Sequence, residues 1–461
     1  MKLSVIKSNL DQLGVRPSKS LGQNFLHDQN LAEWIVSQLD LAPADHVVEI
    51  GPGLGALTEH LAPRCASLTL IEKDGRLAEF LRGGFAGGNV DVLHCDAVEF
   101  DARTLMEKGP VKVVGNLPYY VSSQILFKFT TEPLPVTRLV FTLQKELAQR
   151  LSAQPSTKDY GALTLVIQRR WQVKYLRNLP ATVFLPEPKV DSGVVLLTPR
   201  PDDELPDCDG AFFNRIVKQG FSQRRKQLRK MLAEYVPDWP PVAAKLDVTE
   251  TARAEELSLA QWITLANLLR PADIATAQDV HGEIFDVVDE ANRVTGSASR
   301  HEVHEKKLRH RAVHIFVFNK AGELFLQKRS RWKDKQPRKW DSSAAGHLNS
   351  GDEYDPTAVR ELAEELGVEA PVQLVAKIDA CRGTGWEFVQ LYRARHEGPF
   401  TLARSEIECG AFFPMEIVRR WVEARPGDFA PGFLECLKVF DAGLEKSSST
   451  PMGETAAAHA S

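Results

Sequence analysis

The tetrapeptide Asn116-Leu117-Pro118-Tyr119 places an amide, a proline-restricted carbonyl and an aromatic ring within four residues. It follows the apolar run 111–114, so it is predicted to lie at the end of a strand. Two hydrogen-bond acceptors of this kind can hold the exocyclic amine of a flipped-out adenine while a ring stacks on the base. Because Asn-x-Pro turns are common in loops, this chemistry needs support from the preceding sequence.

Three earlier segments supply that support, because each ends a short apolar run at a residue suited to binding a nucleotide. Residues 45–50 run into Gly51-Pro52-Gly53-Leu54-Gly55, and a helix is predicted to follow. Glycines allow close approach of the backbone to a ligand, and a helix N-terminus favours polar or negative groups. The next two runs end near Glu72 and Asp96. Since the carboxyl ends of parallel strands meet at one edge of a sheet, these segments predict a nucleotide cleft.

Two nucleotide chemistries fit such a glycine turn: hydride transfer with a dinucleotide and methyl transfer from S-adenosylmethionine. The pattern Gly-x-Gly-x-Gly of residues 51–55, combined with the tetrapeptide, resembles S-adenosylmethionine-dependent methyltransferases. The resemblance is closer to the family of small-subunit rRNA adenine dimethyltransferases and covers roughly residues 1–270. Three further segments resemble elements of that family, namely an N-terminal cofactor segment, a Phe-x-Pro-x-Pro-x-Val-x-Ser element and a basic helix, at residues 20–26, 184–192 and 221–230.

This resemblance implies S-adenosylmethionine as cofactor and assigns roles to individual residues. Glu72 would hold the ribose and Asp96 the adenine amine of the cofactor. Asn116 and the carbonyl of Leu117 or Pro118 would accept hydrogen bonds from the target N6, with Tyr119 stacking on the target base and Phe184 a candidate for its other face. The cofactor-binding residues implied as a set are Asn24, Leu26, Gly51, Gly53, Glu72, Asp96 and Asn116.

The segment 221–230 carries five basic residues and no acid: Arg224, Arg225, Lys226, Arg229 and Lys230. Such a run contacts phosphates with salt-dependent, largely sequence-independent affinity. The alternative is a solvated helix face, but beside a base-flipping site RNA binding is favoured. Lys2, Lys7, Arg16 and Lys19 could extend the patch. The chain as a whole has a net charge of −4, so any attraction to RNA must be local. The expected partner is small-subunit rRNA in an immature 30S-type particle.

A second motif occupies residues 346–368, which read Gly-x5-Asp-x7-Arg-Glu-Leu-x-Glu-Glu-x-Gly-Val. Glu361, Glu364 and Glu365 are spaced to share one face of a helix. Like charges so placed repel by about 0.2–0.5 kcal/mol per pair. A hard divalent cation with oxygen ligands would reverse that cost. Acidic helices are often merely solvated, but the glycines at both ends and the long matched spacing favour a metal site.

This motif resembles the Nudix box, with Asp352 where the family normally has Glu. The resemblance implies that Glu361, Glu364 and Glu365 bind Mg²⁺ or Mn²⁺, with Glu361 in the catalytic set, to hydrolyse a small diphosphate-containing substrate. Glu406 and Glu408 are weaker candidates for a further acid. The surrounding sequence resembles the Nudix branch of isopentenyl-diphosphate isomerase, but Ala345 stands where that isomerase has a cysteine. Hydrolysis is therefore favoured over isomerisation.

The fold class predicted is α/β, with a Rossmann-like methyltransferase core, a small helical subdomain and a separate α/β/α Nudix sandwich. At 461 residues the chain is long enough for two or three domains. The predicted boundaries are 1–200 for the methyltransferase core, 201–270 for a helical RNA-binding subdomain, 271–281 for a linker, 282–443 for the Nudix domain and 444–461 for a disordered tail.

Six scattered cysteines without a Cys-x-x-Cys pair indicate reduced thiols, and no signal peptide or membrane span is apparent. We therefore expect a cytoplasmic monomer with no membrane partner. Four histidines, His301, His304, His310 and His314, are expected to have structural or surface roles. Two alternative functions stay open: methylation of large-subunit rRNA, and a ribosome-assembly factor in which one catalytic site, such as the Nudix site, is vestigial.

Overall fold

A computed structural model describes residues 3–17, 22–131, 133–201, 203–206, 208–269 and 282–448. The chain divides into two compact units, Met1–Pro271 and Ala272–Ser461. The predicted linker, residues 271–281, lies outside the described residues. No helix within these described ranges combines the length and apolarity needed to cross a bilayer.

The first unit is built on a seven-stranded sheet with the order β4-β3-β2-β5-β6-β9-β7, and a two-stranded ribbon pairs β1 with β8. Strands β2 to β6 are parallel, while β9 runs antiparallel to both β6 and β7. The strands are β1 (Phe25–Leu26), β2 (His46–Ile50), β3 (Ser67–Glu72), β4 (Val90–His94), β5 (Val111–Asn116), β6 (Val136–Gln144), β7 (Trp171–Leu179), β8 (Phe184–Leu185) and β9 (Ser192–Pro199).

Helices cover both faces of this sheet. Neighbouring residues Val113 and Val114 on β5 belong to two different hydrophobic clusters, so alternate side chains point into opposite layers. Burial on both faces explains why the strands read as nearly continuous apolar runs. The α-helices are α1 (Leu3–Gln12), α2 (Gln29–Ser37), α3 (Thr58–Leu61), α4 (Gly75–Gly84), α5 (Ser122–Thr130), α6 (Lys145–Leu151), α7 (Ala162–Gln168), α8 (Gly210–Gly220), α9 (Leu228–Met231), α10 (Pro240–Leu246) and α11 (Leu259–Leu269).

Helices α8 to α11 form a helical part with its own core, which extends beyond the predicted range 201–270. Tyr160 and Leu165 belong to the same buried cluster as Phe213 and Trp262. The Tyr160 hydroxyl donates to the carbonyl of Leu257 at 2.9 Å. The segment around α7 therefore joins the helical part, because its apolar side chains complete that core.

The second unit contains a seven-stranded mixed sheet and a separate hairpin of β10 and β11. In the sheet, β12 lies parallel to β17 and antiparallel to β13 and β15. The strands are β10 (Ile284–Val288), β11 (Val294–Ser299), β12 (His310–Phe318), β13 (Leu324–Arg329), β14 (Trp340–Asp341), β15 (Ala344–His347), β16 (Gln373–Ile378), β17 (Glu387–Arg395) and β18 (Ile407–Phe413).

Helices lie on both faces of this second sheet as well: α12 (Arg300–Lys306), α13 (Tyr354–Leu366), α14 (Met415–Ala424) and α15 (Pro431–Ser448). Ile315 packs in a cluster with Leu362 of α13, whereas its neighbour Phe316 packs against Phe433 and Phe440 of α15. The predicted fold class, two α/β units of which the second is an α/β/α sandwich, is confirmed. Helix α15 runs to Ser448, so the predicted disordered tail begins too early; residues 449–461 lie outside the described residues.

Candidate functional site

The carboxyl ends of β2, β3, β4 and β5 lie side by side in the first unit. Strand order reverses direction at β2, which lies between β3 and β5, and ligands bind at such switch points of parallel sheets. One pocket opens there. Its lining includes every predicted cofactor residue, namely Asn24, Leu26, Gly51, Gly53, Glu72, Asp96 and Asn116.

The glycine turn after β2 forms one wall of this pocket. Gly51 and Gly53 have φ angles of +65° and +60°, in the left-handed region that side chains disfavour. A Cβ atom at Gly53 would lie 3.0 Å from the ring of Phe25. Glycine is therefore required at Gly53 both by its backbone conformation and by the close packing of the N-terminal ribbon.

Glu72 ends β3 with its carboxylate 6% exposed at the base of the pocket. Its Oε2 accepts from the Gly53 backbone N–H at 3.0 Å, and its Oε1 accepts from that of Asp74 at 2.8 Å. Burial raises the pKa of Glu72, and these backbone hydrogen bonds act against that rise. Because a carboxylate has about four lone-pair sites, Glu72 can still accept from a ligand hydroxyl.

Asp96 follows β4 and forms an ion pair with Lys73, whose Nζ lies 2.6 Å from Asp96 Oδ2. The Val98 N–H donates to Oδ1 at 2.9 Å. Although burial acts to raise it, the pKa of Asp96 lies below its usual value because of these two partners. The residue thus stays ionised at the pocket edge.

Asn116 ends β5 with a fixed amide orientation. Asn116 lines the pocket, and its Nδ2 donates to the backbone carbonyl of Asn24 at 2.8 Å, so Oδ1 is the remaining side-chain acceptor. The next residue, Leu117, is 1% exposed and its N–H donates to the Thr142 carbonyl at 3.1 Å. Pro118 lines the pocket. The backbone that would supply the second acceptor is therefore anchored on both sides.

In the second unit, the three predicted metal ligands lie along α13 beside a cavity of about 1000 Å³. Glu361 and Glu365 are buried, with exposures of 9% and 4%, while Glu364 is exposed. A Cβ atom at Gly346 would lie 2.1 Å from the Glu361 carboxyl carbon. Glycine at this position is what lets the Glu361 carboxylate pack against β15.

The two buried carboxylates repel each other across this cavity. Burial, followed by the charge of Glu365, raises the pKa of Glu361 to about 8. Burial also raises the pKa of Glu365 to about 7, opposed by Lys333 and Arg329. Gln327 Nε2 donates to Glu365 at 3.0 Å. Carboxyl groups with pKa values raised by burial and by a like charge are typical of functional sites.

The Arg360 guanidinium lies close to three acidic side chains of the 346–368 motif. One guanidinium nitrogen lies 3.1 Å from Glu361 Oε1 and 3.7 Å from Asp352, and another lies 3.4 Å from Glu364. Asp352 also accepts from the Asn349 N–H at 3.3 Å. The shorter side chain of Asp352 therefore still reaches the arginine and caps the preceding turn.

A histidine cluster lies at the edge of the same cavity. Nitrogen atoms of His304, His310 and His347 lie within 4.8 Å of one another. Glu387 Oε1 lies 3.2 Å from His347 Nε2 and 3.6 Å from His310 Nε2. The Nε2 atoms of His304 and His310 are buried without a hydrogen-bond partner in the described structure. Three imidazoles and one carboxylate form a donor set suited to a transition-metal ion.

Burial lowers the pKa of His304 to about 4 and that of His347 to about 3, which favours the neutral imidazole that binds metals. Structural or surface roles stay a prediction for the four histidines named from the sequence. His304 and His310 lie together in the cluster, His301 is exposed, and His314 bonds to the Ser342 hydroxyl at 2.7 Å.

Residues 15–270 match the model of a family described as ribosomal RNA adenine dimethylase. The chain belongs to the ribosomal RNA adenine dimethylase family. Residues 308–433 match the Nudix domain model. The two units are accordingly called the dimethylase unit and the Nudix unit.

Curated relatives agree with this assignment. Ribosomal RNA small subunit methyltransferase A of Bacillus licheniformis is 39% identical over 277 residues, which cover 57% of this chain and 95% of the relative. The protein of the same name from Geobacillus kaustophilus is 39% identical over 278 residues, covering 58% and 95%. Among solved structures, the 23S rRNA methyltransferase ErmE aligns with a TM-score of 0.45 and 26% identity over 53% of this chain and 99% of that chain.

The aromatic residues of the dimethylase cleft differ from the prediction. Tyr119 is half-buried, and its hydroxyl lies 2.6 Å from Ser192 Oγ, a side chain with no exposure. Phe184 is 2% exposed and packs in the core, where β8 pairs it with Leu26. In this conformation Phe184 does not reach the cleft, which corrects its predicted stacking role. Tyr120, 53% exposed and lining the pocket, is an aromatic residue that the motif analysis overlooked.

The predicted basic helix of the dimethylase unit is largely a turn. Helix α8 ends at Gly220, residues 221–227 form turns, and only Leu228–Met231 are helical. A Cβ atom at Gly220 would lie 2.5 Å from the Trp262 ring, and the Leu228 N–H donates to the Ala252 carbonyl, so tertiary contacts set the path of the chain. All five basic side chains remain exposed, and Arg224 pairs with Glu255 at 2.7 Å.

Proposed function

We propose that the dimethylase unit transfers methyl groups from S-adenosylmethionine to the N6 atom of adenine in small-subunit ribosomal RNA, at two adjacent adenosines as expected of the family. The curated relatives named small subunit methyltransferase A support this substrate class. The observation that carries the proposal is the position of Asn116, which lines the pocket with its Nδ2 bound to the Asn24 carbonyl, so that Oδ1 is the side-chain acceptor left for the target amine.

The residues present fit S-adenosylmethionine. This cofactor supplies an electrophilic methyl group on its sulfonium. The Glu72 carboxylate can still accept from a ribose hydroxyl, and ionised Asp96 can accept from the adenine amine. The positive φ angles of Gly51 and Gly53 open the turn to a close ligand.

The acceptors at Asn116 and at the Leu117 or Pro118 carbonyl activate the target by orienting it. An adenine amine is a poor nucleophile because its lone pair is delocalised into the ring. Hydrogen bonds from its two N–H groups to fixed acceptors localise that lone pair and aim it at the methyl group. Positioning of this kind supplies most of the acceleration, and no titrating base is required.

RNA binding is assigned to the exposed residues Arg224, Arg225, Lys226, Arg229 and Lys230. A turn presents these side chains in several directions, which suits a folded RNA surface better than a straight duplex. Structured RNA is recognised largely by shape and phosphate contacts, and modified bases are reached where they are unpaired. The cations would therefore dock the RNA while the cleft selects the adenine.

A methyl-incorporation assay tests this proposal. Immature small subunits and, in parallel, large subunits are incubated with the purified chain and labelled S-adenosylmethionine. We expect label at adenine N6 in small-subunit rRNA only. Label confined to the large subunit would support the alternative methylase, and no label in either would reject the activity.

We propose further that the Nudix unit hydrolyses a small diphosphate-containing compound with Mg²⁺ or Mn²⁺ held by Glu361, Glu364 and Glu365. The residues fit a hard cation, because two buried carboxylates of raised pKa lie on one helical turn beside a large cavity. Such a metal neutralises phosphate oxygens and lowers the pKa of bound water. Arg329 and Lys333 line the same cavity and can attract the diphosphate.

We propose a second metal site at the histidine cluster of this unit. His304, His310, His347 and Glu387 together offer three nitrogen donors and one oxygen donor, a set that favours a borderline cation such as Zn²⁺ or Mn²⁺. Metal analysis of the purified chain tests this assignment. We expect about one equivalent of transition metal to be lost in His304→Ala and retained in His301→Ala, whose side chain is exposed.

A substrate panel tests the hydrolase assignment. Nucleoside and isoprenoid diphosphates are supplied with Mg²⁺, and released phosphate is measured. Ala345 lines the cavity and carries no thiol, so we expect hydrolysis without isomerisation. Failure to hydrolyse any member would favour a vestigial Nudix site in a ribosome-assembly factor.

A further inference from the structure

A second concave surface of the Nudix unit lies at the carboxyl ends of the parallel strands β12 and β17. It encloses about 640 Å³ and is lined by Phe318, Lys320, Arg393, Arg395 and Phe440, among others. His310, in the histidine cluster, is at the opposite end of β12, about 26 Å from Phe318 along an extended strand. This distal pocket is therefore separate from the histidine end of the acid cavity.

The distal pocket brings three cationic side chains together, Lys320, Arg393 and Arg395. Arg393 and Arg395 are two residues apart on β17, so they share one face of the sheet. Among the side chains described in residues 282–443, none forms an ion pair or a hydrogen bond with the side chains of Arg393, Arg395 or Lys320. The carboxylate of Glu397 also lines the pocket, and its Oε1 accepts from the backbone N–H of Lys320 at 2.7 Å.

The walls of the distal pocket are held in place by hydrogen bonds and ring packing. The Glu323 N–H donates to Asn319 Oδ1 at 2.9 Å, which closes the turn that carries Lys320. The Gly398 N–H donates to His396 Nδ1 at 2.9 Å in the opposite loop. The stacked rings of Phe318 and Phe440, with centroids 5.6 Å apart, form an apolar wall. The pocket is thus formed before any ligand arrives.

We infer that the distal pocket binds a phosphate-bearing ligand through Lys320, Arg393 and Arg395. Two guanidinium groups suit phosphate because each can donate two parallel hydrogen bonds to its oxygens. Arginines on a flat exposed surface are hydrated and need no phosphate partner. Arg393, by contrast, is only partly exposed and lies in a concavity. Ligands of α/β sheets also tend to bind at the carboxyl ends of parallel strands. Free nucleotides and the RNA backbone share this phosphate chemistry.

Binding measurements on the full chain test this inference. Inorganic phosphate and ADP are titrated by calorimetry, and a twelve-nucleotide single-stranded RNA is measured by filter binding. The variants are the double substitution Arg393→Gln/Arg395→Gln and the matched single change Lys377→Gln, an exposed lysine on neighbouring β16. The variant R393K/R395K keeps the charge but removes bidentate donation.

We expect R393Q/R395Q to weaken binding of at least one probe about tenfold or more, while K377Q leaves it within about twofold. Loss for phosphate and ADP identifies a small-molecule ligand, and loss for RNA alone identifies the nucleic-acid backbone. Partial recovery in R393K/R395K supports bidentate contact. Equal binding of all three probes by the parent chain and R393Q/R395Q would overturn the inference. The binding result does not depend on whether the proposed hydrolysis occurs. Where it occurs, an unchanged hydrolysis rate shows that the variant is folded.

Discussion

Two buried glutamates, one in each unit, both have a raised pKa but lie in different surroundings. Burial, with a neighbouring carboxylate adding to it, raises the pKa of Glu49 in the dimethylase unit and of Glu361 in the Nudix unit to about 8. Glu49 is 1% exposed and accepts from the Thr58 hydroxyl at 2.7 Å. Glu361 lies one helical turn from Glu365 and lines a cavity of about 1000 Å³.

The two sites therefore differ in how the charge of their acidic side chains is balanced. Next to Glu49, the groups assigned to the target base are neutral acceptors, and Glu72 and Asp96 already have hydrogen-bond donors. Around Glu361, the carboxylates of Glu364 and Glu365 lie on the same helix, and we propose that a divalent cation offsets their charge. We therefore expect the first reaction to depend on geometry and the second on metal.

The largest effect is expected for Glu361→Gln. Loss of this ligand should lower metal-dependent diphosphate hydrolysis about a thousandfold, because metal stabilisation of phosphate charge is worth several kcal/mol. The rise in thermal midpoint produced by Mg²⁺ in the parent chain should disappear as well. Phosphate release and thermal unfolding measure the two effects. Glu369→Gln, an exposed acid just beyond the box, is the matched control, and equal losses in both variants would exclude a specific role for Glu361.

The next largest effect is expected for Asn116→Ala. Removing one preorganised polar partner of a reacting group costs about a hundredfold to a thousandfold in rate. Single-turnover methyl transfer should fall by that amount, while cofactor affinity measured by calorimetry stays within a few fold. Asn178→Ala, an exposed amide on β7, provides the control. Near-normal turnover in Asn116→Ala would remove this residue from the mechanism.

A smaller effect is expected for Ser192→Ala, which removes the partner of the Tyr119 hydroxyl. A buried hydrogen bond contributes about 1 kcal/mol, so methyl transfer should fall about tenfold or less. Ser192→Thr keeps the hydroxyl and should recover most of the rate. Circular dichroism checks that the fold is intact. If the threonine variant is as slow as the alanine variant, packing at Ser192, rather than the hydrogen bond, controls Tyr119.

The smallest effect is expected for Glu49→Gln, and it concerns stability. The folded-state pKa of Glu49, about 8, exceeds its ordinary value of 4.5, so the folded protein binds this proton more tightly than the unfolded chain. The contribution of this tighter proton binding to the free energy of unfolding is fully present below pH 4.5 and is lost as the pH rises through 8. The glutamine variant should therefore melt a few degrees above the parent at pH 8.5 and close to it at pH 5. Identical midpoints at pH 8.5 would contradict this assignment.

Much of the dimethylase pocket could be predicted because its residues end successive strands. Periodicity locates strand ends, and parallel strands bring Gly51, Glu72, Asp96 and Asn116 to one edge. Their individual roles remain predictions. Sequence pattern did not reveal that β8 buries Phe184 in the core, because the side-chain direction in a two-residue strand depends on its partner.

Long-range packing explains the remaining differences. The basic segment was predicted to be helical from the family resemblance, but Trp262 packs against Gly220 and the chain turns there. His304 and His310 were predicted to have structural or surface roles, and the sequence did not indicate His347, which reaches them because β15 pairs with β12. The sequence did contain one indication of the cluster. His310 begins β12, and His347 ends β15 directly after Gly346, the glycine against which the Glu361 carboxylate packs.

A crossed assay of methyl transfer and diphosphate hydrolysis tests the contrast between the two sites most directly. The parent chain, Asn116→Ala and Glu361→Gln are each measured for both activities under the same conditions. We predict that Asn116→Ala loses methyl transfer and keeps hydrolysis, while Glu361→Gln shows the reverse. Retention of both activities in either variant, or loss of both in either folded variant, would contradict the account.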